Sequence, residues 1–304
     1  MKCLHPIRLG SKIVPCGKCY ACLSKRRNQW AARLTEQARY SNSNHLLNLF
    51  LTLTYNEESV PTIQVADEVF KVANLQDVSA FIKRLRKSLF GSKKGTLRYF
   101  AVSEYGPKTL RPHFHLILFG VPAKKISCLR KIIERAWRDQ GFVSVSLCNS
   151  NRISYCAKYC LCHFVLPDAI VEAGFKAGLR CSKGLGLCYL TSQVIDYYRR
   201  TGRFYYLTKE GYKVVLPEYW IKRIYTDIEY KKLRFDYTFG VFLRETAEWD
   251  DYLRKMAFIF EYGYFELFKD VLETSPSYIR HKERERDLHA STVKFSKLLK
   301  KYKL

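Results

Sequence analysis

Two histidines one residue apart are the sharpest chemical feature of the sequence. In His113-Phe114-His115 an extended backbone sends successive side chains to opposite faces, so both imidazoles project from one face while Phe114 turns to the core. Two neutral imidazoles at that spacing are a ready ligand pair for a divalent cation. With seven His in 304 residues, about 0.16 such spacings arise by chance, so the pair is informative without being decisive. Glu104 closes the preceding candidate strand. If the intervening turn pairs the two strands, it lies beside the histidines as a third ligand; its bland reading is a surface carboxylate at a strand end.

Tyr155 and Tyr159 stand four apart, on one face of a helix. The 22 Tyr of the chain give about 1.6 such pairs by chance, so the weight comes from position: their helix follows the strands that present the His pair. Lys158, between them, favours a nearby phosphate or phenolate. A cation held by two imidazoles and a carboxylate polarises a scissile phosphodiester and stabilises charge on pentacoordinate phosphorus. A tyrosine phenol, with a pKa normally near ~10, is then an in-line nucleophile that conserves the bond energy as a 5′-phosphotyrosine. Two tyrosines allow a cut by one and a second transfer by the other.

The elements that must position these groups are legible in the hydrophobic patterning. Leu46–Tyr55 alternates as a strand. Asn74-Leu75-Gln76-Asp77 resembles a capping box, and Val78, Phe81, Ile82, Leu85 and Leu89 follow at helical spacing up to Gly91. The other face of that helix holds Lys83, Arg84, Arg86 and Lys87, a solvated face or one that tracks phosphates. Leu97–Glu104 and His113–Phe119 read as strands joined by a Gly/Pro turn, which pair antiparallel most simply. A helix over Lys124–Asp139, a strand over Phe142–Ser146 and a helix from Asn149 through Tyr155 and Tyr159 complete the series. Strand, helix, strand, strand, helix, strand, helix is an α+β order, the ferredoxin-like split βαβ arrangement of an antiparallel sheet with one further helix. The division expected is a basic, Cys-bearing segment over 1–45, the core over 46–165 and an accessory region over 166–304 ending in a basic helical tail. From Arg280 to Leu304 the tail has nine Lys and Arg against three acids.

The motifs resemble a known family. Phe50–Tyr55 (FLTLTY), Arg111–His115 (RPHFH) and Tyr155–Tyr159 (YCAKY) are similar to the three motifs of HUH rolling-circle replication initiators, and more narrowly to those of microviruses of the gokushovirus kind. Pro15–Cys22 with Trp30, Arg98–Gly106 and Gly211–Tyr219 fit too, so the resemblance covers roughly residues 15–225. It implies an HUH endonuclease topology with Mg²⁺ or Mn²⁺ on His113, His115 and Glu104, Tyr155 and Tyr159 as nucleophiles, and single-stranded DNA at a phage origin as substrate in the host bacterial cytoplasm. In phages related to phiX a lysine follows the second tyrosine by three positions; here Cys162 stands there.

Composition fits a polyanionic partner. Lys and Arg number 53 against 28 Asp and Glu, a net charge of +25, and such a field draws nucleic acid by counterion release. With 47% hydrophobic residues and 15% aromatic, the chain is a folded protein and not a disordered polycation, and its flat side chains offer stacking surfaces for unpaired bases. Lys83, Arg84, Arg86, Lys87 and Arg111 are the DNA-contacting residues expected, and the tail is expected to meet DNA or host replication machinery. No apolar run is long enough to span a membrane, and no secretory signal follows Met1.

Eleven Cys scattered through a chain with an adequate core read as reduced thiols. Cys16, Cys19 and Cys22, with Cys3 as a candidate fourth, have spacing for structural Zn²⁺; the alternative is reduced cysteines in a helix-entry loop. The non-enzymatic rival for the whole chain is a Cys-rich nucleic-acid-binding protein. It explains the charge and leaves the His, Glu and Tyr constellation as coincidence.

Overall fold

The computed structural model describes residues 3, 5–10, 12–65, 67–91, 97–106, 110–158, 168–172 and 178–302. At its centre is a five-stranded antiparallel sheet in the order β8-β3-β7-β6-β9, formed by β3 (Leu46–Tyr55), β6 (Arg98–Tyr105), β7 (Pro112–Pro122), β8 (Gly141–Leu147) and β9 (Leu179–Cys181). Short hairpins, β1 (Ile7–Leu9) with β2 (Lys12–Val14) and β4 (Thr62–Val65) with β5 (Glu68–Lys71), precede and follow β3 in the chain. The coarse expectation of an α+β fold with an antiparallel sheet is met.

The sheet divides two cores because every long strand alternates. Leu49, Leu51, Leu53 and Tyr55 of β3 and Phe114, Leu116 and Leu118 of β7 face α2 (Leu75–Phe90) and α3 (Ile126–Trp137). On the other face Phe100 and Val102 of β6 and Ile117 and Phe119 of β7 meet α1 (Tyr20–Ser43) and α4 (Ser150–Lys158) through Leu23, Leu34, Ile153 and Cys156. The register slips by one residue between Leu47 and Asn48, where Gly120 of β7 takes φ +84°, a left-handed value that favours glycine. Beyond this bulge Val121 joins the first core. Gly141 opens β8 where a Cβ would lie 2.1 Å from Thr54 O, so the edge strand can close on β3 only without a side chain there.

The local devices differ from expectation in one respect. Asn74 caps α2 by accepting from Gln76 N at 2.9 Å, but Asp77 does not reach back to complete a capping box. Its carboxylate accepts the Tyr55 hydroxyl at 2.6 Å, which ties the end of β3 to the first turn of α2.

The sheet also crosses the expected boundary at 165. β9 lies within the stretch read as accessory, yet it docks on β6, with Ser103 N donating to Gly178 O at 3.0 Å and Ser182 N to Tyr99 O at 2.9 Å. Similarly α1, within the segment read as N-terminal, roofs the second core. Further along, α6 (Ser192–Thr201), the hairpin of β10 (Tyr205–Leu207) and β11 (Lys213–Val215), and α7 (Glu218–Ile224) gather around Trp220 against Ala32 of α1. The chain then runs into α8 (Asp227–Tyr262), α9 (Phe268–Glu273) and α10 (Pro276–Tyr302). Among the described residues no helix is long and apolar enough to cross a membrane.

Candidate functional site

Register fixes where the histidines sit. His115 lies between Thr52 of β3 and Val102 of β6, and His113 between Thr54 and Glu104. Cross-strand partners share a face, so both imidazoles and the Glu104 carboxylate project toward α4, at the end of the sheet where β3 and β6 finish and β7 begins.

There the side chains converge. His115 Nε2 and Glu104 Oε2 are 2.5 Å apart. An ionised carboxylate only accepts, so Nε2 carries the proton and Nδ1 accepts from the Thr52 hydroxyl, Oγ1 to Nδ1 being 3.1 Å. The His113 and His115 ring centroids are 6.4 Å apart. Burial holds the His113 imidazole below its ordinary pKa against the pull of Glu104, with the His115 and Arg111 charges lowering it further. At neutral pH it is therefore an uncharged ligand.

Tyr155 reaches the same carboxylate. Asn149 Oδ1 accepts from Arg152 N at 3.0 Å at the start of α4, and Ile153, Cys156 and Ala157 bury one side of that helix. Tyr155 is left on the flank, 40% exposed, with its hydroxyl donating to Glu104 Oε2 at 3.5 Å. Its ring meets His115 edge-on at 5.2 Å and Phe50 at 6.2 Å. Phe50 in turn stacks on His115 at 5.6 Å and lies under the Arg152 guanidinium at 5.4 Å. Lys158, half-buried, is the last residue of α4; Tyr159 lies outside the described residues.

The cations named from sequence do not gather here. Helix α2 packs on the opposite face of the sheet, so Lys83 and Lys87 are exposed on the far layer. On the same helix Arg84 Nε donates to Ala136 O at 2.7 Å and Arg86 Nη2 to Leu97 O at 2.9 Å. Arg111 forks onto Tyr55 O, 2.7 Å from Nη2, and pairs with Glu57 at 2.8 Å, which fixes the start of β7. Cys16, Cys19 and Cys22 meet Cys3 in a separate cluster at the start of α1.

Three residues beside the histidines were missed from sequence: Thr52, Phe50 and Arg152. The alternation of β3 was the available signal for the first two, since it puts residues 50 and 52 on the face opposite Leu51 and Leu53.

Residues 48–163, which contain Thr52, Glu104, His113, His115 and Tyr155, match the family model for replication-associated protein ORF2. The chain is a relative of phage replication-associated proteins. It is 28% identical over 223 residues to Replication-associated protein ORF2 of Spiroplasma virus 4, covering 69% of this chain and 67% of that one. It is 27% identical over 235 residues to Replication-associated protein ORF4 of Chlamydia phage 1, covering 71% and 54%. A third relative, Replication-associated protein VP4 of Bdellovibrio phage phiMH2K, is 34% identical over 118 residues, which is 37% of this chain and 33% of that one. The likeness to microvirus replication proteins read from the three motifs is thus borne out. No solved structure gives a significant match.

Proposed function

We propose that this protein initiates rolling-circle replication of a phage genome, nicking single-stranded DNA at the origin through Tyr155, holding the 5′ end as a phosphotyrosine and rejoining the strand. One observation carries the reading: a single Glu104 carboxylate oxygen lies 2.5 Å from His115 Nε2 and 3.5 Å from the Tyr155 hydroxyl. On this reading the sheet is the ferredoxin-like platform of an HUH endonuclease. The strand order β8-β3-β7-β6, with α2 and α3 together on one face, supports it.

The donors fit a divalent cation. Glu104, His113 and His115 offer a carboxylate and two imidazoles on one face, a set suited to Mg²⁺ or Mn²⁺. The Thr52 hydroxyl can accept from Nδ1–H as well as donate to Nδ1, so it holds the His115 ring equally in the tautomer whose Nε2 lone pair is free to ligate. When bound, the cation supplies Lewis-acid polarisation of the scissile phosphate.

The remaining steps belong to the chain's own side chains. Tyr155 Oη forms the bond to phosphorus as the P–O3′ bond breaks; the phenol proton passes to Glu104 and on to solvent, and O3′ leaves as a hydroxyl after taking up a proton. Lys158 at the end of α4 and Arg152 one turn earlier supply positive charge to the phosphate, and Phe50 offers a flat face to an unpaired base. Tyr159 performs the second transfer. The protein acts in the host bacterial cytoplasm on an unpaired origin strand.

The test is a denaturation-resistant adduct with single-stranded origin oligonucleotides and Mn²⁺. Chelation should abolish the adduct and spare most DNA binding, whereas a purely zinc-folded binder would form none and would lose binding. An adduct that persists in the Tyr155→Phe, Tyr159→Phe double variant overturns the assignment of nucleophiles.

A further inference from the structure

Four thiols meet away from the histidine site, at the N-terminus of α1. The Sγ atoms of Cys3, Cys16, Cys19 and Cys22 all lie within 4.8 Å of one another. Cys3 Sγ and Cys19 Sγ are 3.9 Å apart, far beyond the ~2.05 Å of a disulfide bond. A tetrahedral Zn²⁺ with Zn–S bonds of about 2.3 Å places its sulfurs about 3.8 Å from each other. The spacing between these two thiols is already that of an edge of such a tetrahedron.

We propose that Cys3, Cys16, Cys19 and Cys22 bind one structural Zn²⁺ as four thiolates, stapling the N-terminal hairpin to α1.

The surroundings suit thiolates. Cys16 N donates to Cys3 Sγ at 3.2 Å and Cys19 N to Cys16 Sγ at 3.3 Å. Such N–H to sulfur bonds favour the charged form. Gly17, at φ +74° with open space around its Cβ position, lets the chain turn sharply between Cys16 and Cys19. Cys19 is the N-cap residue of α1 and makes no side-chain cap; its sulfur turns instead toward Cys3. Four thiolates around one Zn²⁺ carry a net charge of −2, and Lys18, Lys25, Arg26 and Arg27 stand in the adjoining sequence.

The fold needs such a staple at this point. Cys3 precedes the hairpin of β1 and β2 and Cys16 follows it, so the cluster closes the hairpin's base. The hairpin strands have three residues each, and Ile7, Leu9 and Ile13 are all exposed. A two-stranded hairpin without a buried face is marginal in water. The cluster also orders the first turn of α1, one residue before Leu23, which packs with Ile153 and Cys156 of α4 under the sheet.

Metal analysis of the full-length protein, purified without added chelator, tests the proposal. It predicts about one equivalent of zinc per chain, falling below about 0.2 in Cys3→Ser and in Cys19→Ser. Cys128→Ser, at an exposed thiol outside the cluster, and His115→Ala should both keep the full equivalent. The wild type gives an independent readout, because Co²⁺ in its place should show sulfur-to-metal charge transfer and the strong visible bands of a tetrahedral thiolate site. Iron in place of zinc, zinc retained in Cys3→Ser, zinc lost in His115→Ala, or four of these thiols freely titratable in fresh metal-containing protein would each overturn it. The proposal stands or falls apart from the nicking activity, since none of these readouts uses DNA.

Discussion

The Tyr155 ring meets the His115 ring edge-on at 5.2 Å, although α3 and β8 separate the two residues in the chain. What joins them is topology. β8 returns antiparallel beside β3, and the chain leaves it across the face that carries the odd-numbered residues of β7. Helix α4 therefore lies over His115, and the flank of α4 that escapes burial holds the phenol at the Glu104 carboxylate.

Removing that phenol should separate chemistry from folding. Tyr155 is 40% exposed and its bond to Glu104 is long, so Tyr155→Phe should change stability by no more than about 0.5 kcal/mol. Covalent adduct formation at the first cut should fall at least ~10³-fold, since the attacking phenol oxygen is gone. Denaturing gels of labelled oligonucleotide read the adduct, and urea unfolding reads the fold. Adduct formation at the wild-type rate would transfer the first attack to another residue.

Thr52 should matter through His115. Its hydroxyl is 3.1 Å from Nδ1, and loss of a hydrogen bond that orients a ligating imidazole costs about 10–100-fold in metal affinity or activity. Thr52→Val keeps the shape and removes the bond, so cleavage should require more Mn²⁺ by that factor, and Thr52→Ser should restore it. Equal Mn²⁺ dependence in Thr52→Val and the wild type would show that the ring is held by Phe50 stacking alone.

The parts of the site visible in the sequence are those whose partners are close in the chain or fixed by strand register. His113, His115 and Glu104 could be placed on one face because β6 and β7 are joined by a short turn. The alternation of β3 and the helical stripe of α2 likewise state which face is buried. β9 was invisible: three residues have no period to read, and the segment is a strand only because β6 offers it an edge. Arg84 and Arg86 looked like a solvated cationic face, yet their side chains are long enough to reach carbonyls on neighbouring elements, which no one-dimensional pattern records. Thr52 could be placed on the face of the histidines but not against one of them, because that pairing depends on the register of β3 against β7.

The position of α2 carries its own expectation. Lys83 and Lys87 are exposed across the sheet from Tyr155, so Lys83→Ala with Lys87→Ala should leave the cleavage rate at saturating DNA within about twofold. If the pair touches phosphates beyond the cut site, the slope of log affinity against log salt falls by up to ~1.4 for a single strand. Arg152→Ala, beside Phe50, should instead reduce cleavage. A tenfold loss of rate in the lysine pair would mean that the scissile strand wraps both faces.

Alkaline pH should loosen the tie between β3 and α2. Burial, reinforced by the bond to Asp77, pushes the Tyr55 phenol well above its ordinary range. Unfolded tyrosine titrates near ~10, so above that pH the unfolded chain sheds a proton that the folded chain keeps. The stabilisation is complete below about pH 10 and declines as pH rises. Tyr198 and Tyr206 are raised in the same direction, also mainly by burial. Tyr55→Phe should therefore cost about 1 kcal/mol at neutral pH and make the alkaline decline shallower without abolishing it. Urea midpoints at about pH 8 and pH 10.5 measure both; a decline as steep as wild type in Tyr55→Phe would exclude this phenol from the linkage.

Arg33 is the joint between the sheet layer and the C-terminal region. Its guanidinium lies between Trp30 at 4.1 Å and Tyr219 at 3.8 Å, and both Nε and Nη2 donate to Leu185 O, at 3.2 and 3.0 Å. Gly186 follows that carbonyl, packed so closely that a Cβ there would lie 2.7 Å from Arg33 O. Lysine keeps the charge but has no planar fork to donate twice and no flat face to lie between two rings. Arg33→Lys should cost about 2 kcal/mol, read as a lower urea midpoint at unchanged slope. Because Arg33 is remote from Glu104 and Tyr155, adduct formation at low temperature should stay close to wild type. If Arg33→Lys proves as stable as the parent, charge alone holds this joint and the stacked fork contributes nothing.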